Sequence, residues 1–158
     1  MIRFLTCALM ILAIALPPAF AQTSRQPELR LREGNSFEEF DYTYISPWML
    51  KSMQQKDLTE LKNIPVGKVQ HIEILKTKTN GHFRPFKAII NRLADELELI
   101  GYNSDDANGV KICVQTSPSK EKVERILVIK WGKHGAEHLA TYIVGDFTPS
   151  EVNSMFHF

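Results

Sequence analysis

Residues 110–147 read VKICVQTSPSKEKVERILVIKWGKHGAEHLATYIVGDF, and this stretch decides the fold. Val110, Ile112 and Val114 alternate with Lys111, Cys113 and Gln115, the period-two pattern of a strand with one buried face. Ser117-Pro118-Ser119-Lys120 turns the chain into a second run, Arg125 to Trp131, which alternates less cleanly. Gly132-Lys133-His134-Gly135 turns it again, into a strand from about Leu139 to Val144. Connections this short leave no room for a crossover, so the three strands must pair antiparallel.

Upstream, Phe83, Phe86, Ile90, Leu93, Leu97 and Ile100 recur at spacings of three and four, with Lys87, Asn91, Asp95 and Glu98 largely opposite. That spacing predicts an amphipathic helix laid on the sheet and stopped by Gly101. Val69 to Lys76 reads as a strand, with Ile72 and Ile74 on one face and His71 and Glu73 on the other. Tyr42 to Ile45 is a short β-favouring run ending at Ser46-Pro47, where Ser46 caps and Pro47 opens a short helix carrying Trp48, Met49 and Met53. Asp57 and Glu60 mark a further turn of helix, closed by Pro65 and Gly67. At the end of the chain Thr148 caps, Pro149 is the first helical residue, Glu151 completes a capping box and Phe147 staples to Val152. This order predicts an α+β domain, a mostly antiparallel sheet of about four to five strands with helices packed on one face.

The amino terminus has a different logic. Arg3 precedes an apolar run from Phe4 to Leu16, then Pro17-Pro18 and Ala19-Phe20-Ala21. One cation, an apolar core and an A-x-A site before Gln22 form a secretory signal peptide over residues 1–21. As a helix the apolar run rises roughly 20 Å, short of a hydrocarbon core of ~30 Å, so no membrane span is expected to remain after cleavage. Residues 22–36 carry only Leu29 and Leu31 as large apolar side chains and read as a flexible leader, which places the single α+β domain at 37–158. The 158-residue chain holds 19 Lys and Arg against 18 Asp and Glu. Cleavage removes Arg3 and balances the two, and a neutral chain lacks the field that nucleic acid rewards. Of the two cysteines only Cys113 survives cleavage, so no internal disulfide forms, and a buried thiol is the reading taken.

Motifs for chemistry are few. His134-Gly135-Ala136-Glu137-His138 fits the H-x-x-E-H string of inverted zinc peptidases. That chemistry needs both histidines on one helical face, and here Gly132 and Gly135 bracket the string at a turn between strands. His134 and His138 remain as metal-ligand candidates, against the plainer alternative of a solvated hairpin. Cys113, in mid-strand, has no activating partner in view for a thiol nucleophile. Phe37, Phe40, Tyr42, Tyr44 and Trp48 are read as core packing in preference to a stacking platform. Asp105 to Gly109 lacks calcium-loop spacing. Lys120, Lys122, Arg125, Lys130 and Lys133 are interrupted by Glu121 and Glu124, a mixed surface. No catalytic set and no cofactor are expected.

Four marks together resemble the exported proteins of domain-of-unknown-function family 4252, common in Bacteroidota. They are the signal peptide, the junction from Tyr44 to Leu50, the central amphipathic helix, and the ending from Ile143 to Thr148. The resemblance spans about Phe37 to Phe158. It implies an envelope location, periplasmic first and cell surface or extracellular second, and a shared fold, and it brings no catalytic residue. The expected function is a non-catalytic envelope module that binds a protein or a small ligand, with an envelope protein as the candidate partner. The alternatives are a metal-dependent hydrolase using His134, Glu137 and His138, and a structural subunit that self-associates through a strand edge.

Overall fold

The computed structural model describes residues 28–53, 63–78, 83–103, 109–132 and 136–156. Residues 1–27, the helix start expected at Asp57–Glu60, and His134 lie outside this set. Six strands form one antiparallel sheet: β1 (Phe40–Ile45), β2 (Val69–Thr77), β3 (Glu98–Asn103), β4 (Val110–Thr116), β5 (Val123–Lys130) and β6 (Leu139–Phe147). Their spatial order is β1-β2-β6-β5-β4-β3. Among the described residues three α-helices accompany them: α1 (Pro47–Ser52), α2 (Phe83–Ala94) and α3 (Pro149–Phe156).

The β4–β5–β6 meander forms as the short turns require, in the registers Cys113↔Leu127 and Leu127↔Tyr142. Strand β5 alternates poorly because it is interior: Ile126 packs on one face, Leu127 and Ile129 on the other. Strands covered on both faces lose the polar half of the alternation.

The sheet has six strands, not four to five, and the additional edge is β3. Its residues were expected to continue the amphipathic helix to Ile100. Helix α2 instead ends at Ala94, and Asp95 to Leu97 form a turn in which Leu97 N–H reaches the Ala94 carbonyl at 3.1 Å. Leu97 and Ile100 keep the helical spacing by coincidence. The free side of β4 offers Glu98 to Asn103 a ladder, with Glu98↔Val114 and Leu99↔Cys113, and a bulge before Gly101↔Ile112. Gly101 thus lies inside a strand rather than stopping a helix.

The helices do not share one face. Phe86, Ile90 and Leu93 of α2 pack with Leu75, Leu127 and Tyr142. Leu50 of α1 and Val152 and Met155 of α3 pack with Ile72, Ile126 and Ile143, whose side chains leave the opposite side of the same strands. A central sheet of aliphatic residues has two faces to bury, and helices on one side would leave Ile72 and Ile143 in water. Helix α2 also carries the chain from β2 to β3, four strand spacings or about 19 Å away.

The predicted caps form. Ser46 Oγ accepts from Met49 N–H at 3.3 Å with Pro47 as the first residue of α1. At α3, Thr148 N–H donates to Glu151 Oε2 at 2.8 Å and Glu151 N–H returns to Thr148 Oγ1 at 3.3 Å. Lys68 Nζ adds bonds of 2.7 and 2.9 Å to Glu151. The Lys68 contact, then the Thr148 N–H, hold the Glu151 carboxyl down to about 2. A carboxyl lowered by folding stabilises the fold above its ordinary range, and that contribution is lost as pH falls through the folded value. The destabilisation caused by Glu151→Gln, followed by thermal unfolding, is therefore expected to be largest at neutral pH and to vanish between pH 4.5 and pH 2. No described helix is long and apolar enough to cross a membrane.

Candidate functional site

The densest polar chemistry lies on the α2 side of β2, where His71 and Glu73 were read as opposite to Ile72 and Ile74. That face is covered. Residues 28–36, placed by composition in the leader, run across it as a strap that includes a 3₁₀ turn at Arg32–Ser36. Leu31 is 0% exposed and packs in the α2-side core. Gly34 presses on Leu75, where a Cβ would collide with the leucine methyls.

Glu73 is 0% exposed and holds the strap. Its Oε1 accepts the Arg30 N–H at 2.9 Å, and its Oε2 accepts the Leu31 N–H at 2.9 Å and the Tyr42 hydroxyl at 3.0 Å. Burial, then the charge of Glu73, push the Tyr42 phenol up. Tyr142, directly opposite Glu73 on β6, is pushed up chiefly by burial. His71 is 5% exposed and stacks on Tyr44 at 5.6 Å. Its Nε2 stands 3.7 Å from Glu73 Oε1, beyond hydrogen-bond reach. On the outside of the strap Arg30 pairs with Glu28 and Glu96, and Arg92 of α2 pairs with Glu33.

A carboxylate beside a hydroxyl and an imidazole has the components of an acid–base site. Here both oxygens are already engaged, by two main-chain N–H groups and a tyrosine, in a position closed to solvent. The arrangement anchors a segment; it offers no free oxygen to a substrate. The sequence signal was the alternation that set His71 and Glu73 together. Nothing in the leader's composition said that a single leucine would bury them.

His134 lies outside the described residues, and Glu137 and His138 each have partners of their own. His138 lies at the entry to β6, where its N–H donates to Thr77 Oγ1 at 2.8 Å and its Nδ1 accepts from Gly132 N–H at 3.1 Å. Its ring packs 4.8 Å from Phe83, 5.8 Å from Phe86 and 5.9 Å from Trp131, and burial pulls its pKa down. A metal at Nδ1 would have to displace the Gly132 bond. Glu137 pairs with Lys76 at 2.7 Å. Among the described residues no three His, Cys, Asp or Glu side chains come close enough to share a metal ion.

Cys113 is buried between β3 and β5, and desolvation pushes its thiol up. A thiol that resists ionisation and cannot be reached is inert. Native protein is expected to leave iodoacetamide unreacted at neutral pH and to be alkylated at this residue once guanidinium unfolds it, as read by intact mass. The aromatic group divides between roles. Phe40 meets Phe86 edge-on at 6.0 Å in the core, Tyr42 serves Glu73, and Trp48 is 76% exposed on α1.

Exposed large apolar side chains lie at several places among the described residues: Phe37 ahead of β1, Trp48 and Met49 on α1, Phe83 on α2, and Leu99 and Ile100 on β3. Leu99 is 54% and Ile100 37% exposed, on an edge strand with one neighbour. Between the strap and α2 runs an open groove of about 260 Å³, floored by Ile89 and Leu93 and rimmed by Arg30, Glu33, Arg92 and Glu96. A family model matches residues 35–155, from within the strap through most of α3. No curated protein and no solved structure matches the chain.

Proposed function

The chain belongs to the family described as a domain of unknown function (DUF4252), and from that premise we propose that it is a non-catalytic interaction module, exported to the cell envelope, that holds a protein partner on the open edge of β3. The observation that carries this is the pair Leu99 and Ile100, exposed on an edge strand whose outer main chain pairs with no described strand. Unpaired N–H and C=O groups beside exposed aliphatic side chains are what an added strand uses. The bulge between Leu99 and Gly101 interrupts the ladder and limits indiscriminate pairing along that edge. Export rests on the Arg3, Phe4–Leu16 and Ala19–Ala21 pattern. The engagement of both Glu73 oxygens by the strap supports the absence of catalysis.

A photo-cross-linking residue placed at Leu99, in cells at native abundance, tests the proposal against the same residue at Glu121 in the β4–β5 turn. A reproducible envelope protein captured from position 99 and absent from position 121 is the expected result. Self-links alone would make the protein a self-associating subunit, and equal capture from both positions would remove the β3 edge from the account.

A further inference from the structure

Among the described residues two buried side-chain atoms have no hydrogen-bond partner, Arg30 Nε and His71 Nε2. Both border the Glu73 pin: Arg30 is on the strap that Glu73 holds, and His71 Nε2 stands 3.7 Å from Glu73 Oε1. Native folds pair nearly all such atoms, and a buried one left alone weakens the arrangement that confines it. The closed strap is thus an imperfect occupant of its own groove.

The groove also reads little of the strap's identity. Glu73 takes two consecutive main-chain N–H groups, which converge on one carboxylate only where the backbone leaves the extended form and which ask for no particular side chain. The specific demands are few. An apolar anchor of leucine size fills the site of Leu31. A cation just before it meets Glu96, and a carboxylate two residues after it meets Arg92. A residue without Cβ follows, against Leu75. We propose that the groove between β2 and α2 is a peptide-acceptor site filled in cis by residues 28–36, and that a protein partner enters it with a segment of the same chemistry and the same turn, Arg-Leu-x-Glu-Gly, displacing the strap. Any such partner competes with a tethered segment, so its apparent affinity is set by the fraction of chains with the strap open. This site shares no residue with the β3 edge, and either can fail while the other stands.

The test uses the chain from Gln22 onward and a fluorescein-labelled peptide copying residues 28–36. In the wild-type chain the amides of Arg30 and Leu31 are expected to exchange with solvent through local opening, well ahead of those in β5 and β6. The peptide is expected to bind that chain, and to bind a Leu31→Ala chain at least about tenfold more tightly, because the loosened strap raises the open fraction. A peptide carrying Asp in place of the leucine should bind neither. Strap amides that exchange only with global unfolding would overturn the proposal, as would a leucine peptide that binds neither chain. Those two measurements on the wild-type chain decide the matter even if Leu31→Ala fails to fold. Dimers formed by strap exchange, with no peptide uptake, would assign the groove to a second copy and overturn the heterologous partner.

Discussion

Glu73→Leu is expected to lower the free energy of unfolding by about 3–5 kcal/mol, with the strap the first segment to lose protection. The substitution places an apolar side chain of similar size on β2 and removes the acceptor for three donors, the Arg30 and Leu31 N–H groups and the Tyr42 hydroxyl. A buried donor left unpaired costs on the order of 1–3 kcal/mol. Three such losses do not simply add, because a strap that peels away returns two of the donors to water at the expense of Leu31 burial. Replacing a buried charge with an apolar group can be stabilising where both partners of an ion pair are removed together. Here two of the three partners are main-chain groups that no side-chain substitution deletes. Tyr42→Phe removes one bond and should cost only about 1 kcal/mol. Guanidinium unfolding of the two variants checks the ordering, and equal, small effects would mean that Glu73 does not pin the strap.

The second large loss is expected at Phe86→Ala, about 3–5 kcal/mol. Phe86 is fully buried and stands where three elements converge. It meets Phe40 of β1 edge-on at 6.0 Å, Trp131 after β5 at 5.9 Å and His138 before β6 at 5.8 Å. Truncation removes the ring and leaves a hole that the sheet, fixed by its ladders, cannot close. Phe83, one turn earlier on α2 and 39% exposed, touches Trp131 and His138 from the solvent side. Its replacement by alanine leaves no enclosed cavity and should cost well under half as much. Denaturant midpoints measured with an unchanged m-value separate these two outcomes.

What the sequence made legible follows from how locally each element is determined. The β4–β5–β6 meander rests on alternation and short turns, and the caps at Ser46 and Thr148 on three or four adjacent residues, so both could be read directly. Strand β3 could not. Leu97 and Ile100 satisfy a helical period, and only the vacant side of β4, a partner distant in sequence, favours a strand there. The division of helices between two faces was hidden for a related reason: apolar runs such as Ile126 to Ile129 state that both faces are buried, not which helix covers each. At the candidate site, alternation placed His71 with Glu73 correctly. Their burial depended on Leu31, one apolar residue in a polar stretch, whose weight comes from a groove built by β2 and α2. Composition averages over such a residue. The H-x-x-E-H string is a local match whose described members, Glu137 and His138, have Lys76 and Gly132 as partners.

Strand β6 lies between β2 and β5, although it is the last strand in the chain. During synthesis β1–β2 and β3–β5 must exist for a time as two separate ribbons. Each then has an unpaired inner edge awaiting the same nine residues, Leu139–Phe147. Late closure by a distant segment slows folding and leaves those edges open to pairing with other chains. A chain stalled or clipped before Leu139 is therefore a pair of adhesive half-sheets rather than a shortened domain, and such a chain gains most from a chaperone that shields β2 and β5 until the last strand arrives.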